Sequence, residues 1–132
     1  MFIDTEQLLV AYLQPIAPNQ VSVEMPNTPP LPFILVSRVA GGDDRETDLG
    51  IADVHVFHNS RDQARQTARQ MHNLIQQLTA KTPVTILDGG PTVHIDRIIT
   101  IHGPAWVDWQ DENLKRYVAR YEVASRINSQ PL

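Results

Sequence analysis

The sequence predicts an α+β fold, a mostly antiparallel sheet flanked by two helices. Three observations predict it. Residues 60–80 hold one long amphipathic pattern at helical spacing, opened by a capping signal. Several short apolar or alternating runs are punctuated by Gly- and Pro-rich turns. Their order along the chain is α-β-β-β-α-β-hairpin-β, which lacks the strict strand–helix alternation of a parallel sheet.

Residues 4–13 read as the first helix. Asp4 or Thr5 can cap it, and Leu8, Leu9, Tyr12 and Leu13 fall on one side. Pro15 and Pro18 end it. Residues 21–25 alternate and predict a short strand. Residues 26–32, PNTPPLP, carry too many prolines for helix or inner strand and predict a stiff extended connector. Residues 33–40 are apolar at nearly every position, so a strand buried on both faces is expected. Arg38 interrupts it and needs a partner if buried.

Gly41-Gly42 is expected to break that strand, leaving DDRETD (43–48) as an exposed loop. Residues 51–58 form the next strand, with Val54 and Val56 on one face and Asp53, His55 and Phe57 on the other. In the long helix, Ser60 and Gln63 make an S-x-x-Q box. Ala64, Ala68, Met71, Leu74, Ile75 and Leu78 form its apolar stripe, and Arg61, Arg65, Arg69 and several glutamines form the opposite face. The turn DGGP (88–91) joins hairpin arms at 82–87 and 93–102. Gly103-Pro104 ends the second arm, residues 105–113 form a loop with both tryptophans, and residues 114–127 form the last strand.

A length of 132 residues predicts one domain spanning 1–132. Such a chain hides roughly two-thirds of its unfolded surface and needs no staples. The absence of cysteine excludes disulfides, thiolate metal sites and a cysteine nucleophile. No apolar run reaches the ~18 residues of a membrane span. A net charge of −4 disfavours a dedicated nucleic-acid binder but suits a wall that DNA slides past.

Chemical motifs are sparse. His55 and His58 point to opposite strand faces, and the helical zinc pattern of two histidines four apart is absent. Asp53, His55 and His94 remain as an alternative ligand- or metal-binding face. The acidic loop lacks the central glycine and distal glutamate of a calcium loop, so a solvated loop is the plainer reading. The Arg face of the long helix reads as solvated or subunit-facing. Trp106 and Trp109 suit either an interface or a cap on the core.

Three segments taken in order carry a family resemblance: LPFILVSRVAGGDD (31–44), TDLGIADVHVFHNSRDQARQTARQMHNLI (47–75) and GPAWVDWQDENLKRYVARYEVASR (103–126). Together they resemble the tail terminator proteins of long-tailed, siphovirus-type bacteriophages, especially those of actinobacterial hosts. The resemblance implies a virion protein without catalysis or cofactor, made in the host cytoplasm. It implies a homo-oligomer, a ring of six subunits that caps the tail tube protein, ends tube polymerisation and meets the head-completion (stopper) protein. Genomic DNA passes through the lumen unbound, and no membrane is involved.

On that reading the loop of Asp43, Asp44, Arg45, Glu46 and Asp48 faces the tube or lumen. Trp106, Trp109, Arg65 and Arg69 are candidate subunit or stopper contacts. Another neck component is the nearest alternative. The long capped helix favours a terminator, since stoppers are more barrel-like.

Overall fold

The computed structural model describes residues 4–43, 47–87 and 89–126. The elements are α1 (Thr5–Tyr12), β1 (Val21–Ser22), β2 (Phe33–Asp43), β3 (Thr47–His58), α2 (Arg61–Gln76), β4 (Val84–Thr85), β5 (Thr92–Val93), β6 (Arg97–Trp106) and β7 (Lys115–Arg126). The fold is α+β, as the sequence patterns predict.

Five strands form the main sheet in the order β1-β2-β3-β7-β6. Only β1–β2 is parallel; the β2–β3, β3–β7 and β7–β6 pairs are antiparallel. β4 and β5 form a separate ribbon. Both helices lie on one face of the sheet. There the inward residues of β2, β3 and β7, such as Val36, Val54, Val56 and Tyr121, meet Leu8, Leu9, Ala64, Ala68 and Met71. Burying each large apolar side chain contributes roughly 1.5–3 kcal/mol, so this layer supplies the main driving force.

Local chemistry sets both helix starts. The Asp4 carboxylate accepts from the Glu6 and Gln7 amides, and Ser60 Oγ accepts from the Gln63 amide at 3.2 Å. The Tyr12 hydroxyl donates to the Leu74 carbonyl at 2.7 Å and ties the helices together. Small residues set the close approaches. A side chain at Gly50 would collide with Thr5 at the start of α1, and one at Gly41 (φ 131°) with the Leu49 carbonyl.

Five expectations are corrected. β2 is not buried on both faces. The face away from the helices is covered at one end only, where Phe33, Phe57 and Leu114 cluster with Trp109. Gly41-Gly42 does not break β2, because the pairing continues across Gly41↔Gly50 and Gly42↔Leu49 after a bulge between Arg38 and Ala40. The 93–102 arm is not one strand. The chain leaves the ribbon after Val93, buries Ile95, and joins the main sheet where the Asp96 amide donates to the Ala124 carbonyl. Gly103-Pro104 does not end β6, since an edge strand with register irregularities tolerates proline. The 21–25 strand shrinks to Val21–Ser22.

Candidate functional site

The acidic segment divides by strand parity. Asp43 is exposed at the end of β2. Asp48 is not a loop residue: it sits in β3 on the core side, 1% exposed. Arg38 holds it with two hydrogen bonds of 2.7 and 2.9 Å, a bidentate pair that also supplies the partner Arg38 needs. Asp48 is therefore not part of an exposed acidic loop. Asp44, Arg45 and Glu46 lie outside the described residues.

The long helix lays a basic stripe beside the sheet edge. Arg61, Arg65 and Arg69 recur every four residues along α2 and are exposed. Arg61 stacks over the Trp106 ring at 4.5 Å, and Arg65 is paired with Asp62. Arg69 makes no ion pair among the described residues. Arg65, Arg69 and His72 rim a hollow of about 230 Å³ whose floor is Pro104 and Tyr117. His72 Nδ1 lies 2.7 Å from the Tyr121 hydroxyl, whose ionisation burial pushes far up, so the tyrosine keeps its proton.

The two tryptophans separate. Trp106 is in β6 and not in a loop, and it meets Tyr117 edge-to-face at 5.9 Å. Trp109 is in the following loop, edge-to-face on Phe57 at 5.3 Å, with Arg116 over its ring at 4.7 Å. Both are half-buried, so each covers its own chain and still shows surface.

At the other edge of the sheet is a second hollow, of about 210 Å³, lined by Gln7, Val10, Val21, Val23, Ile86 and Leu87. Val23 and Leu87 are large exposed apolar residues there, and Glu24 beside them is exposed. Sequence reasoning missed this edge. The signal was the apolar pair Val21 and Val23, flanked by Glu24, just before the proline connector.

The alternative face does not assemble as a polar site. Asp53 is engaged by Arg120 at 2.6 and 3.1 Å. His55 stacks on Phe57, and burial, then the Arg116 charge, holds its pKa below the usual histidine value despite the opposing pull of Asp53. His94 is exposed on the segment between β5 and β6. Among the described residues no three His, Asp or Glu side chains gather as a metal site, and no helix is long and apolar enough to cross a membrane.

No protein-family model matches this sequence, and no curated protein matches it. Among solved structures, a chain from the virion of a native gene transfer agent (GTA) particle shares the fold. The TM-score is 0.55 at 12% identity, covering 88% of this chain and 85% of that one. A second solved chain aligns over 96% of this chain and 92% of its own at 19% identity, with a TM-score of 0.47.

Proposed function

We propose that the chain is a structural, non-catalytic virion protein, and specifically a tail terminator. It assembles as a ring on the end of the tail tube, stops tube growth and offers its far side to the head-completion protein. The observation that carries this reading is the fold shared along most of its length with a chain of a gene transfer agent virion. The terminator assignment rests on the order of the three sequence segments from 31 to 126. The surface is compatible with assembly, since exposed apolar residues such as Val23 and Ile101 lie at the sheet edges.

The test is the mass of the purified protein, alone and with its tail tube protein. A ring of about six 14.9 kDa subunits, alone or on tube ends, with tube growth halted, is the expected result. A monomer or dimer that leaves tube growth unchanged overturns the reading.

A further inference from the structure

A ring needs two different surfaces on each subunit, because head-to-tail contacts pair one patch with another. The sheet order puts β1 and β6 at opposite edges. Resting on the ring reading above, we propose that these edges are the two halves of the subunit contact. The β1 edge of one copy, led by Val23 and Glu24, seats in the α2/β6 hollow of the next copy.

The chemistry of the two edges is complementary. The hollow beside β6 has an apolar floor, Pro104 and Tyr117, and a cationic rim, Arg65 and Arg69. It fits an apolar side chain followed by a carboxylate. Val23 and Glu24 offer that sequence on a projecting edge, with Val23 46% exposed. Glu24 and Arg69 each lack an ion-pair partner within the described residues of their own chain. A carboxylate from the neighbour would relieve the repulsion along the Arg61-Arg65-Arg69 stripe, where Asp62 answers only Arg65. Leu87 beside Val23, and Ile101 on β6, are 44% and 40% exposed, which extends apolar contact on both sides. The contact is heterologous, so it propagates from copy to copy until the rotation closes.

The chain has no cysteine, so single thiols can be placed without background. Glu24→Cys and Arg69→Cys are made as separate chains, mixed, and treated with a short bis-maleimide. The expected product is the mixed 24–69 dimer, several-fold over either homodimer. The chain carrying both substitutions should give a covalent ladder that stops at the ring's own subunit number. In parallel, Arg69→Glu or Glu24→Arg alone should weaken assembly about tenfold or more, and the double reversal should restore it.

Predominant 24–24 or 69–69 products, or no cross-link in a preparation whose unsubstituted chain forms rings, overturns the edge assignment and leaves the ring reading standing. Equal assembly of all charge variants does the same. If the unsubstituted chain assembles neither alone nor with tube protein, both fall together.

Discussion

Two acids five residues apart in one acidic stretch have different jobs. Asp48 is buried and held by both guanidinium nitrogens of Arg38, whereas Asp43 is exposed. Deleting one partner of a buried ion pair strands the other charge, so Asp48→Ala should cost about 3 kcal/mol. Asp43→Ala should stay within about 0.5 kcal/mol. Urea midpoints at constant m-value check both, and equal losses would contradict the burial difference. The role of Asp48 was legible in principle. It shares strand parity with Gly50, Ala52, Val54 and Val56, the residues that face the helices. The charge density suggests a loop, and strand parity is the stronger signal.

At the scale of elements, what is local was readable and what is paired was not. The start of α2 follows from Ser60 and its reach to the Gln63 amide, both within one turn. Ser60→Ala should therefore cost about 1 kcal/mol and Ser60→Gly only a few tenths, read as a shift in thermal midpoint. If the alanine variant melts like the parent, the cap contributes nothing. The strand ends are different. Gly41-Gly42 and Gly103-Pro104 look like stops because their intrinsic preferences are stops. Gly41-Gly42 remains in a strand because Gly50 and Leu49 of β3 supply ladder partners, and Gly103-Pro104 is carried as an irregularity between the His102–Arg120 and Ala105–Val118 pairs; no local rule sees either. Trp106 was misplaced in a loop for the same reason. The hollow at Arg65 and Arg69 was half-readable. The helix periodicity placed both arginines on one face, but only the fold brings Pro104 and Tyr117 under them.

At the scale of the whole molecule, one layer of helices covers one sheet face, and the opposite face is sealed at a single end by Phe33, Phe57, Leu114 and Trp109. The tryptophans therefore sit at unlike stations. Trp106 leans on Tyr117, a floor residue of the hollow at the β6 edge, while Trp109 rests on Phe57 in the end cluster. An emission shift on assembly should survive Trp109→Phe and vanish in Trp106→Phe; the reverse pattern would move the contact to the sealed end. Each indole also lies under a guanidinium, Arg61 or Arg116. Displacing Arg61 from Trp106 changes the field that the excited indole feels. The chain thus carries an intrinsic fluorophore beside the joint it is proposed to make, and a second one on the opposite sheet face for comparison. Closure of the proposed ring can be followed by light alone, in real time and without a label.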